Sequence, residues 1–168
     1  PTPEIPSEVP SNKLVERQGI TYEVNSQTPF TGISVEYYLD TIIKNEFEER
    51  VLKTRITFKD GVTEGLKESF HPNGQTEVRE NYKNEELHGF HESYYENGQL
   101  EFKGNYKNGK EDGLFEQYYD NGQLKSKENF INGEEEGLQE KFFVNGQLEE
   151  KGNIENGELV LRQTFDQG

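Results

Sequence analysis

One tetrapeptide recurs at a fixed interval and constrains what the chain can fold into. Asn-Gly-Gln-Leu stands at 97–100, 121–124 and 145–148, with a worn copy, Asn-Gly-Gln-Thr, at 73–76. An aromatic pair precedes each full copy: Tyr94-Tyr95, Tyr118-Tyr119 and Phe142-Phe143. Successive asparagines are 24 residues apart, and a fixed period of this size marks stacked repeats. Two further series keep the same period. One is Asp60-Gly61, Asn84-Glu85, Asn108-Gly109, Asn132-Gly133 and Asn156-Gly157; the other is Gly65, Gly89, Gly113 and Gly137, each followed by Leu or Phe.

The repeats resolve a conflict in the composition. Only 29% of the 168 residues are apolar, against roughly 45–50% in an average globular domain. Such a chain ordinarily fails to bury enough surface to order itself. Nine Tyr, eleven Phe and a strict period argue instead for a thin all-β fold, one layer of sheet whose repeats share their burial. The net charge of −15 disfavours nucleic acid, which needs clustered Lys and Arg, and anionic membrane surfaces. The absence of Cys excludes disulfides and thiolate chemistry without choosing a compartment. No apolar run is long enough for membrane insertion by a helix. The chain begins at Pro1 and has no Met, consistent with a processed export signal or a trimmed end.

Residues 1–12 hold four of the six prolines and read as an extended tether without packing of its own. Residues 13–29 read as a capping hairpin, turning at Gln18-Gly19, and a loop. The repeats occupy 30–158. The first is split: Phe30 to Tyr38 matches one half and Leu52 to Phe58 the other, with thirteen residues between them where later copies have four. This insertion, 39–51, carries Ile42, Ile43 and Phe47 among glutamates, and is either a binding surface or a cap on the sheet. Residues 159–168 read as a degenerate terminal strand.

Asn-Gly between two β-rich runs predicts a hairpin with a type I′ turn. With Asn97 and Gly98 as the loop residues, Tyr95 faces Leu100 and Glu92 faces Lys103. The same register sets Glu116 against Lys127, Glu140 against Lys151 and Glu68 against Arg79. Opposite charges fall across from one another in every copy, as an exposed cross-strand ladder requires. Alternation puts Tyr95, Leu100, Phe102 and Tyr106 on one face, and Phe90, Glu92, Tyr94, Lys103 and Asn105 on the other.

The unit 113–133, with its Asn-Gly-Gln-Leu and Phe-Ile-Asn-Gly elements, resembles the variant MORN repeat, and the likeness spans roughly 30–160. It is similar to bacterial proteins labelled as antitoxins of toxin–antitoxin families, several of them exported or lipid-anchored. The resemblance implies consecutive β-hairpins in one elongated, twisted antiparallel sheet, and protein binding or scaffolding rather than catalysis.

No nucleophile motif or phosphate loop is present, so no catalytic residue is assigned and an enzyme is not expected. The glutamate column repeats four times, which a register ladder explains and a catalytic acid does not. His71, His88 and His91 lack the convergent partners a metal needs, and no EF-hand spacing accompanies the acidic clusters. No cofactor or metal is therefore expected. Candidate partner-binding residues are the aromatic columns Tyr94, Tyr118, Phe142 and Tyr95, Tyr119, Phe143, the insertion's Ile42, Ile43 and Phe47, and the acidic Glu134, Glu135 and Glu136. The expected partner is a protein, or a second copy added at a free sheet edge. The expected setting is the cell envelope or the exterior, with an antitoxin covering a basic toxin and a filament subunit as alternatives.

Overall fold

Runs of alternating side chains joined by tight turns leave little choice but antiparallel pairing of neighbours. A computed structural model describes residues 8–38 and 51–167, which divide between residues 86 and 87 into two bodies. Among the described residues the fold is all-β, with consecutive hairpins and no α-helix.

The first body comprises β1 (Glu8–Pro10), a single 3-10 turn (Ser11–Lys13), β2 (Leu14–Arg17), β3 (Ile20–Glu23), β4 (Gly32–Tyr37), β5 (Leu52–Lys59), β6 (Val62–Phe70) and β7 (Thr76–Lys83). Strands β1-β4-β5-β6-β7 lie side by side, and β2–β3 forms a separate hairpin. That hairpin turns at Gln18 (φ 54°) and Gly19 (φ 78°), both in the left-handed region a type I′ turn requires. It is tied back by Thr21 N–H donating to Gly61 O, and Phe30 N–H to Thr21 O, both at 2.8 Å. Phe30, Ile33 and Val35 are buried, and the Phe30 ring lies 5.8 Å from that of Phe58.

The tether reading needs correction at its C-terminal end. Residues 8–10 form a strand parallel to β4, pairing Glu8 with Ile33 and Pro10 with Val35, and Glu8 meets Arg55 at 2.8 Å. The open edge of β4 supplies the pairing groups, and proline is tolerated because β1 is outermost in this sheet. Strand β4 pairs with β5 through Glu36–Thr54, then shifts register at Tyr37–Leu52, just as the later repeats do. The insertion residues Ile42, Ile43 and Phe47 lie outside the described residues.

The second body comprises β8 (Glu86–Tyr94), β9 (Leu100–Lys107), β10 (Lys110–Glu111), β11 (Gly113–Tyr118), β12 (Leu124–Ile131), β13 (Glu134–Glu135), β14 (Gly137–Phe142), β15 (Leu148–Glu155) and β16 (Glu158–Thr164). Their order follows the chain, with the short β10 and β13 continuing the pairing beside β9 and β12. The charge register is as the sequence predicts: Glu92–Lys103, Glu116–Lys127, Glu140–Lys151 and, in the first body, Glu68–Arg79.

Nearer the turn the predicted register fails. Tyr94, not Tyr95, pairs with Leu100; Tyr118 pairs with Leu124, and Phe142 with Leu148. Two features cause this. Gly98 N–H donates to Tyr95 O and Tyr95 N–H to Gln99 O, which makes a three-residue loop of Glu96, Asn97 and Gly98. Only the glycine is left-handed there (φ 82°), so the turn is a type I turn with a glycine bulge rather than type I′. One further residue, Glu101, is then skipped in the ladder. The type I′ geometry belongs to the other Asn-Gly series, where both residues have positive φ, as at Asn108 (51°) and Gly109 (74°).

Gly113 (φ 99°) kinks the strand between β10 and β11, and the pairing with β9 shifts by two residues across it. That shift carries Phe115 over Gly104, where a methyl group would overlap its ring. Phe115 is the most buried apolar residue of this body, ringed by Phe102, Tyr106 and Phe130 at centroid distances of 5.7, 5.4 and 4.9 Å.

Candidate binding surface

The recurring motif lies on one edge of each hairpin, and its side chains are committed to holding repeats together. Asn97 Oδ1 accepts the Gln99 N–H at 2.9 Å, while its Nδ2 donates to Asp120 O of the next repeat at 2.8 Å. Asn121 does the same with Gln123 N–H and Val144 O. The Gln99 side chain lies over Gly122, in space a Cβ would need. Tyr95 and Tyr119 span the same junctions, their hydroxyls donating to Tyr118 O at 2.7 Å and Phe142 O at 2.8 Å. Tyr38 makes the equivalent bond to Phe70 O at 2.6 Å in the first body. Burial, with Glu101 and Asp120 nearby, pushes the Tyr95 phenol above its usual range, which keeps the donor protonated.

The other aromatic column supports the charge ladder. Tyr94 donates to Glu92 Oε2 at 2.9 Å and Tyr118 to Glu116 Oε2 at 3.2 Å. Lys103 Nζ sits 2.6 Å from Glu116 Oε2 and 5.8 Å from the Tyr118 ring centroid. Hydrogen bonds to Glu116 and Tyr118 raise the Lys103 pKa against the opposing effect of burial. The ladder is not exposed as the sequence suggests, because Glu116 is only 9% accessible. Its carboxylate is covered by the lysine stem and the tyrosine ring, leaving the cation outermost. Phe142 and Phe143 close the columns without a hydroxyl; Phe143 N–H donates to Gln147 O at 2.8 Å.

The acidic connections are also partly committed. Glu136 Oε2 accepts the Asn156 N–H at 3.0 Å and caps the next turn, as Glu64 does for Asn84 at 2.7 Å. Glu135 accepts from Gln139 at 3.0 Å, and both it and Glu134 are exposed. His88 occupies the capping position for Asn108, and His91 packs edge-on against Phe102 at 5.3 Å. His71 N–H closes its own turn on Gln75 O.

What the repeat contacts leave uncovered is a column not singled out from the sequence. Phe90, Leu114 and Leu138 recur every 24 residues on the ladder face and are 36%, 51% and 55% exposed. Phe90 and Leu114 flank a shallow groove of about 300 Å³, floored by Glu92, Lys103, Asn105 and Glu116. The signal was present as the Leu or Phe following each periodic glycine; burial, not pattern, separates it from the other columns.

A search of curated proteins found no match to the chain. The signature of the MORN repeat variant matches four times in succession, at residues 63–84, 87–108, 111–132 and 135–156. Each matched segment contains an Asn-Gly-Gln turn in which the asparagine Oδ1 accepts the glutamine N–H, and the two middle segments add the tyrosine donor to the next repeat. On that match the chain belongs to the MORN repeat variant family.

Proposed function

We propose that the chain is a non-enzymatic binding module that presents the Phe90, Leu114 and Leu138 column to a protein partner. MORN repeats are generally involved in protein or membrane binding, and the family is a non-catalytic module. The observation that carries the reading is the exposure of that column in a chain with few apolar residues. Exposed apolar residues that line up, rather than scatter, mark interaction surfaces. Its neighbours Lys103 and Glu116 form an ion pair at 2.6 Å and Glu92 accepts from Tyr94, so the column is bordered by partnered rather than bare carboxylates. The backbone beneath it is held by paired strands, so little ordering cost falls on association.

The acidic connections favour a partner with basic groups around an apolar centre. An antitoxin that covers a basic toxin is a narrower form of this reading. We further propose a setting in the cell envelope or outside the cell, because several of the bacterial proteins that the repeats resemble are exported or lipid-anchored. A photo-crosslinking amino acid at position 114, installed in the native host, tests the surface. One discrete adduct that disappears in Leu138→Asp supports it. An adduct pattern identical to that from a control at exposed Lys125 contradicts it.

A specific observation favours self-association as a second reading. All seven residues of β16 are exposed, Leu159, Val160 and Leu161 among them, and β16 is an edge strand of the second body. An edge of this kind templates pairing with another chain. Light scattering that gives the 19.5 kDa monomer at all concentrations sinks it.

A further inference from the structure

The repeats carry an internal comparison that assigns a ligand to one pocket. In the first body, Lys67 on β6 stands opposite Glu80 on β7. Lys67 Nζ lies 3.2 Å from Glu80 Oε2 and 5.4 Å from the Tyr82 ring centroid, and Tyr82 O–H donates to the same oxygen at 3.1 Å. Burial disfavours the charged lysine, but Glu80 and Tyr82 outweigh it and raise the Lys67 pKa. Here a carboxylate and an aromatic ring two residues apart hold an ammonium group supplied by the facing strand.

Two periods later the same positions are Phe115, Glu128 and Phe130. Phe115 and Glu128 are paired across β11 and β12 as Lys67 and Glu80 are across β6 and β7. The carboxylate and the ring are retained, but the lysine has become phenylalanine. Among the described residues, Glu128 and the nearby Glu111 have no ion-pair partner. Between them opens a cavity of about 220 Å³ whose walls include Phe102, Tyr106, Phe115 and Phe130, with Gln117 and Ser126 as further polar lining. The ring set is peculiar to this junction: Phe102, Phe115 and Phe130 give way one period later to Ser126, Gln139 and Ile154.

We propose that this pocket receives the ammonium group of a lysine side chain from a protein partner, beside Glu128, the counterpart of the carboxylate that holds Lys67 in the first body. The chemistry fits that occupant. Ring faces attract a desolvated cation, and two carboxylates at the rim complete its charge. The volume is below the roughly 300–1,000 Å³ of small-molecule sites and suits one long side chain. A hard metal ion would need several converging anionic oxygens, and among the described residues no group of three or more His, Cys, Asp or Glu is placed to hold one. The pocket lies on the face opposite the apolar column, since Leu114 and Phe115 are consecutive in one strand, and the inference does not depend on that column.

The test is an NMR titration of the full chain, with ¹³C-labelled Phe and Tyr rings, against N-acetyl-lysine methylamide. Saturable shifts of Tyr106, Phe115 and Phe130, with a Kd on the order of 1–10 mM, are expected for a single side chain. Glu128→Gln weakens binding about tenfold, and the neutral norleucine analogue gives no saturable shift. Phe115→Lys, which rebuilds the internal pair, abolishes binding while circular dichroism stays native. Absence of saturation, equal shifts with norleucine, or unchanged binding in Glu128→Gln overturns the proposal. Adduct formation at position 114 alongside a failed titration overturns the pocket alone and leaves the binding module standing.

Discussion

At the scale of single residues, the tyrosines that end the first two aromatic pairs, Tyr95 and Tyr119, are fasteners between repeats. Tyr119→Phe removes the donor to Phe142 O while leaving the ring in place. It is expected to cost about 0.5–1.5 kcal/mol in urea denaturation, because the half-buried carbonyl loses its partner. Glu85 tests backbone strain instead. It occupies the second turn position with φ 67°, where the other periodic turns have glycine, and L side chains pay about 1–2 kcal/mol there. Glu85→Gly is therefore expected to stabilise the chain by about 0.5–1 kcal/mol after glycine's greater unfolded-state entropy is subtracted, read from the same denaturation curves. Neither role was legible from the motif. Tyr95 and Tyr119 looked like display residues because columns of aromatics suit binding and packing equally, and only the hydroxyl partners separate the two.

At the scale of the hairpin, a ladder lysine and a junction tyrosine shape the response to pH. Lys103 and Tyr95 both have raised folded pKa values. The unfolded chain releases these protons first, from about pH 10 for Tyr and about 10.4 for Lys. Their contribution is fully present below that range and is lost as pH rises through the folded values. Denaturation midpoints should thus fall between about pH 10 and 12, and fall less steeply in Tyr95→Phe and Lys103→Gln. A midpoint that rises with pH over this window contradicts the assignment. The ladder's register was readable because charges of opposite sign recur at fixed spacing. The turn beneath it was not, because Asn-Gly serves both a type I′ turn and a type I turn with a glycine bulge. The choice depends on whether asparagine itself turns left-handed, as Asn108 does, or closes on the residue two ahead, as Asn97 does on Gln99. The Phe115 pocket was hidden for a different reason. Comparing repeats averages away the junction where Phe102, Phe115 and Phe130 come together.

At the scale of the molecule, stability in a repeat array is a sum of units and the interfaces between them. Deleting residues 133–156 joins Asn132 to Gly157 and restores the same left-handed turn pair. The shortened chain is expected to fold cooperatively, losing about 1–4 kcal/mol for its 24 missing residues. Loss of the β signal in circular dichroism contradicts additive repeats. The central claim is a division of labour: motif residues join the repeats, and the column of Phe90, Leu114 and Leu138 meets the partner. Its most direct test is the yield of the photo-crosslinked adduct from position 90 in two variants. The account predicts that Leu114→Asp loses the adduct while melting as the parent does, and that Tyr119→Phe keeps the adduct while melting lower. An adduct that survives Leu114→Asp but is lost in a folded Tyr119→Phe would place the binding surface on the motif edge and contradict the account.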